Sequence, residues 1–170
     1  METLPLILPL AFGTTTLLAV GLFYLAARRS GRTLAVLSAW LLVQAGVGLS
    51  GFYTLTNTLP PRLALLLGPP LLLIIGLFVT AAGRRYLDRL RLERLTMLHI
   101  VRIPVELVLF GLYLHGTIPQ LMTFEGRNYD MLAGLSAPVV YYFAFRQKRL
   151  GNNGLLIWSF LCLGLLLNIV

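Results

Sequence analysis

Six apolar stretches, each close to the length that crosses a bilayer, alternate with short polar interruptions along the 170 residues of this chain. No motif constrains the fold as strongly. The hydrocarbon core of a membrane is about 30 Å thick and an α-helix rises about 1.5 Å per residue, so a span needs about 20 apolar residues. The stretches cover residues 4–27, 34–55, 63–83, 95–114, 129–145 and 155–170. Hydrophobic residues make up 58% of the chain and charged ones 12%, which leaves far more apolar surface than one soluble core buries. The expectation is an all-α, polytopic transmembrane bundle of six helices, forming a single domain over residues 1–170.

The interruptions set the boundaries. The first stretch stops at Arg28-Arg29-Ser30-Gly31-Arg32 and the second at Thr56-Asn57-Thr58-Leu59-Pro60-Pro61, which predicts a hairpin. Pro69-Pro70 is expected to break the third helix at mid-membrane. Beyond it, Arg84 with Asp88 and Arg89 with Glu93 stand four apart, predicting a short ion-paired extension. Arg84, Arg85, Arg89 and Arg91 of that extension would lie against anionic lipid heads. Residues 131–145 alone are too short to span, so the fifth helix is expected to begin between residues 125 and 130. The sixth stops at Val170 with no capping residue or polar tail, predicting that further chain follows. Small and hydroxyl residues, Thr14, Thr15 and Thr16 in the first helix and Ala45, Gly46, Gly48, Ser50 and Gly51 beside Gln44 in the second, predict close helix packing. Trp40, Tyr53, Tyr141, Tyr142 and Trp158 are placed as interfacial anchors.

Eleven of the 14 basic residues fall in alternate interruptions, at residues 28–32, 84–94 and 146–149. Basic residues accumulate on the cytoplasmic side of membrane proteins, so the amino terminus is expected outside and these three loops inside. The net charge of +8 is thereby explained by topology, and no nucleic-acid partner is expected. The first stretch does not read as a cleavable signal peptide, because its basic residues follow the apolar run rather than precede it.

Sparse chemistry removes whole classes of function. A single cysteine, Cys162, excludes an intrachain disulfide and a cysteine-based metal cluster. The two histidines, His99 and His115, lie about 24 Å apart along one straight helix, too far to ligate one haem. The one lysine, Lys148, stands in a loop and cannot form a Schiff base among helices. No cofactor is expected.

What chemistry there is converges on residues 99–130. His99, Arg102 and Glu106 share one helical face inside an apolar stretch, where an ionisable residue is costly. Pro104 between them frees the carbonyl of Ile100 and is expected to kink the helix. Arg102 and Glu106 stand four apart and are expected to pair with each other. Two readings stay open: an ion pair that only holds helices together, or a polar cavity in which Glu106 accepts a proton or cation and Arg102 anchors an anion. Next come His115 and the run Glu125, Arg127, Asn128 and Asp130, with Asn128 or Asp130 suited to cap the fifth helix. His115 is placed to approach Glu125, Arg127 and Asp130 across the hairpin, although the spacing matches no metal motif and no metal site is expected.

The sequence His99-Ile100-x-Arg102-Ile103-Pro104-Val105-Glu106-Leu107, followed by Met122-Thr123-Phe124-Glu125-Gly126-Arg127-Asn128-Tyr129-Asp130, resembles a family of uncharacterised bacterial multi-pass integral membrane proteins. The resemblance covers about 30 residues. It implies a bacterial inner-membrane location and a further hydrophobic segment after Val170, and it implies no activity. The leading reading is a membrane protein that binds or transports a small solute or proton through a polar cavity between helices four and five. The alternative is a non-catalytic accessory or assembly subunit, with a protein partner or a second copy of the chain. An intramembrane enzyme using a histidine and carboxylates as acid and base comes third.

Overall fold

In a computed structural model, which describes residues 5–54, 62 and 64–168, the chain is all-helical. Among the described residues eight α-helices form: α1 (Ile7–Ala26), α2 (Gly31–Leu49), α3 (Ala64–Val79), α4 (Ala81–Asp88), α5 (Leu92–Leu98), α6 (Arg102–Leu114), α7 (Met131–Tyr141) and α8 (Asn152–Leu167). They divide into two compact units, one holding α2 to α4 and the other α1 with α5 to α8. Within its unit, α1 packs on α5 and α6.

Three elements are long and apolar enough to cross a membrane: α1, α2 and the continuous rod Leu92–Leu114. A fourth is reached if α3 and α4, bent by 91° at Thr80, count as one. Six continuous spans are not present among the described residues. The fifth stretch yields α7, whose helix widens to a π-turn at Tyr142–Arg146 after Pro138, and the sixth yields the 16-residue α8. The last residues of the sixth stretch and the predicted loop at 56–61 lie outside the described residues.

Two proline expectations come out differently. Pro69 and Pro70 sit inside an unbroken α3. The break falls instead at Thr80, whose side chain accepts from the Gly83 amide at 3.1 Å and starts a new helix. Gly83 is required there, because a Cβ would overlap the backbone of Leu77. Pro104 does mark a local change: the turn His99–Val101 tightens to a 3₁₀ helix ahead of α6. The element nonetheless remains one candidate span.

Burial is inverted relative to a soluble protein. Among the largest fully buried side chains are Glu106, Asn128 and Thr123, whereas Leu42, Leu72, Phe78, Phe160 and Leu161 are more than 60% exposed. Exposed large apolar surface on this scale is unfavourable in water and neutral in hydrocarbon. The described fold is thus compatible with membrane residence.

Of the small and hydroxyl residues expected to pack closely, Thr15 of α1 is buried and those of α2 are not. In α2 no residue is buried, and a Cβ at Gly46 or Gly48 would meet nothing within 4 Å. Gln44 there accepts from the Tyr53 hydroxyl, and the hydroxyls of Thr14, Thr15 and Thr16 bond back to carbonyls of their own helix. The tight contact is made by α7, where Ala133, Gly134 and Ala137 are buried and a Cβ at Gly134 would strike Ile103 and the His99 carbonyl. Backbone approach through small residues is what seats α7 on α6.

Candidate functional site

Seating α7 against α6 brings the segment before α7 over one face of α6. Arg102 and Glu106 project from that face, and Asn128 and Asp130 meet them from the other side. Arg102 forms an ion pair with Asp130. One of its amino groups also points at the Cys162 carbonyl of α8 at 3.5 Å. Glu106, only 2% exposed, accepts through Oε1 from the Asn128 amide. The expected pairing of Arg102 with Glu106 is not formed. Asp130 competes successfully because it comes from another element, free of the fixed helical offset between Arg102 and Glu106.

Asn128 holds the segment in place. Its amide also donates to the Met122 carbonyl at 3.1 Å, and its Oδ1 accepts from the Asp130 backbone amide at 3.1 Å. All its hydrogen-bonding capacity on the amide nitrogen is thereby used, at 1% exposure. Asp130 occupies the N-cap position of α7 but makes no side-chain capping bond, since its carboxylate is turned to Arg102. The capping role expected of it is thus replaced by the ion pair.

Three buried polar atoms have no hydrogen-bond partner among the described residues: Glu106 Oε2, His99 Nδ1 and Asp130 Oδ1, the last being the atom in the ion pair with Arg102. An unsatisfied buried group costs about 1–3 kcal/mol, more when charged, so each marks a place where the fold tolerates a loss. The His99 ring lies 4.8 Å from the Trp158 ring, and Trp158 Nε1 donates to Ser136 Oγ at 3.0 Å. Trp158 is therefore part of the site's wall rather than a free interfacial anchor. No sequence signal distinguished it from the other aromatics near segment ends.

The remaining predicted residues are elsewhere. His115 turns back to the Gly111 carbonyl, with Nδ1 at 2.8 Å, and is exposed. Glu125 and Arg127 are exposed as well, Glu125 accepting from Gln120 at 3.4 Å. The structure does not join His115 to the loop carboxylates. Among the described residues no group of three His, Cys, Asp or Glu side chains is arranged to hold a metal ion. The ion pairs expected of Arg84 with Asp88 and of Arg89 with Glu93 are likewise not formed; Glu93 accepts instead from the Tyr141 hydroxyl at 2.9 Å.

Beside the polar cluster, α7 and α8 enclose an apolar groove of about 410 Å³, with Leu135, Trp158 and Cys162 in its lining. It does not expose Glu106. The fold and the site together define an all-helical protein with three to four apolar candidate spans and a buried cluster of ionisable residues in one of its units. No protein-family model, curated protein or solved structure matches this chain.

Proposed function

We propose that this chain is a polytopic protein of the bacterial inner membrane that binds, and passes on, a proton or small cation at Glu106. One observation carries the reading. The Arg102 guanidinium is paired with Asp130, so the Glu106 carboxylate, 2% exposed and with Oε2 unpartnered, makes no ion pair of its own. A carboxylate in that position needs a counter-charge, and a proton or a small cation supplies it. His99, two turns away on the same face with its own unpartnered nitrogen, is the next group able to exchange a proton along α6.

The proposed topology has its amino terminus outside. It is supported within one unit by the Arg28 side chain on the Arg89 carbonyl, and within the other by Tyr141 on Glu93. Each contact brings segments carrying basic residues to a common end of its unit, as same-side loops require. The likeness of residues 99–130 to bacterial multi-pass proteins belongs to the same proposal.

Reconstitution in liposomes tests the function. The parent protein is expected to carry a pH-driven or alkali-cation flux, and Glu106→Gln is expected to reduce it at least tenfold, with folding checked separately. A flux unchanged in Glu106→Gln would contradict the proposal. A second reading, an accessory subunit, is favoured by one observation, the mutual engagement of Arg102 with Asp130 and of Asn128 with Glu106, with no opening to Glu106. Absence of any flux in the parent together with a stable partner complex would support it.

A further inference from the structure

The unit formed by α2, α3 and α4 carries seven arginines at one end: Arg28 and Arg29 from the turn before α2 and Arg32 from its first turn, and Arg84, Arg85, Arg89 and Arg91 from α4 and its exit. All seven are exposed, and none takes part in an ion pair among the described residues. Asp88 is the single acid in residues 27–91. The two segments are more than 50 residues apart in the chain and are joined by two specific contacts. Arg28 Nε donates to the Arg89 carbonyl at 2.8 Å, and the Thr33 and Tyr86 hydroxyls hydrogen-bond at 3.1 Å.

The local backbone is shaped for this meeting. Arg28 and Arg29 adopt φ of 56° and 58°, in the left-handed region that a non-glycine residue enters at a cost. Beside this turn the Arg28 side chain reaches the Arg89 carbonyl. The 91° bend at Thr80 carries α4 sideways from the end of α3, so Arg84 and Arg85 leave the apolar α3 axis and join the other group.

We infer that this convergence is a binding site for a membrane lipid whose headgroup carries two phosphates, bridged between the arginines of the turn before α2 and those of α4. Guanidinium forks match phosphate oxygens in bidentate geometry, and the two segments supply two separate groups of forks. The α3–α4 bend places them beside the end of an apolar helix, the level at which lipid phosphates lie. A headgroup with one phosphate engages one segment; a headgroup with two engages both.

The test is lipid binding to the full chain in phosphatidylcholine nanodiscs, titrated with cardiolipin or with phosphatidylglycerol at matched phosphate and read by native mass spectrometry. Preference for cardiolipin is expected. Each arginine removed from the cluster, as in Arg84→Ala and Arg85→Ala, is expected to lower that affinity about fivefold. The control Arg146→Ala, outside the cluster, leaves it unchanged. Thr33→Val combined with Tyr86→Phe keeps every charge but breaks one contact between the segments, so it is expected to shrink the cardiolipin preference while sparing phosphatidylglycerol binding. Equal binding of the two lipids, or a preference untouched by both sets of variants, would overturn the inference. Binding of inorganic pyrophosphate in lipid-free detergent as tight as cardiolipin would overturn the lipid as the ligand.

Discussion

The two units of this protein use charge in opposite ways. In the unit of α1 and α5 to α8, one group of ionisable side chains is drawn inside: Glu106 and Asp130 are buried and Arg102 is largely covered, while His115, Glu125 and Arg127 stay exposed. In the unit of α2 to α4, every arginine of the basic cluster is exposed and no residue of α2 or α3 is buried. A charge taken out of water must find partners within the protein, so the first unit spends its polar groups on one another. A charge left at an edge is solvated and stays available to a ligand. The contrast separates a closed site, whose one carboxylate without an ion pair is Glu106, from an open one whose arginines make no ion pair among the described residues.

Substitutions in the first unit should therefore cost the most. Arg102→Leu strands Asp130 in an apolar environment and is expected to destabilise the protein by about 3 kcal/mol. Combined with Asp130→Leu it should cost less than the sum, whereas Arg102→Leu and Glu106→Leu should be closer to additive. Thermal unfolding in detergent of the single and double variants checks both statements. Strong coupling of Arg102 to Glu106 and none to Asp130 would restore the pairing that sequence spacing suggested.

A smaller loss is expected at the α6–α7 contact. Gly134→Val places a branched side chain against Ile103 and the His99 carbonyl, an overpacking worth about 1–3 kcal/mol. The same measurement reads it, and an unchanged midpoint would mean that α7 stands farther from α6. The smallest effect belongs to the second unit. Gly48→Ala enters open space in α2 and removes a flexible residue from a helix interior, so it should be neutral or stabilising by up to about 1 kcal/mol. A clear destabilisation there would show that α2 is covered by something else.

Much of the helical content was legible in the sequence, because hydrophobic length is a local property. The rods Ile7–Ala26, Gly31–Leu49 and Leu92–Leu114 fall on stretches recognised from apolar runs alone. The bend at Thr80 was not, since it depends on a capping hydroxyl and on Gly83 meeting Leu77, a contact made only after α4 folds back. The same limit governs the site. That Arg102, Glu106, Asn128 and Asp130 stand out could be read from polar residues within or beside apolar sequence. Who pairs with whom could not, because helical spacing reports only neighbours on one helix, and Asp130 comes from another. Trp158 and the Cys162 carbonyl entered the site with no signal, both being ordinary residues of an apolar helix.

Chemical modification tests most directly whether Glu106 is the unbalanced group. A lipid-soluble carbodiimide reacts with a carboxyl that carries a proton and spares a carboxylate locked to a guanidinium. In membranes containing the full chain, digestion and mass spectrometry after such treatment should locate the adduct on Glu106 and leave Asp130 unmodified, with Arg102→Leu making Asp130 reactive as well. An adduct on Asp130 in the parent protein, with Glu106 untouched, would contradict the division of charge described here.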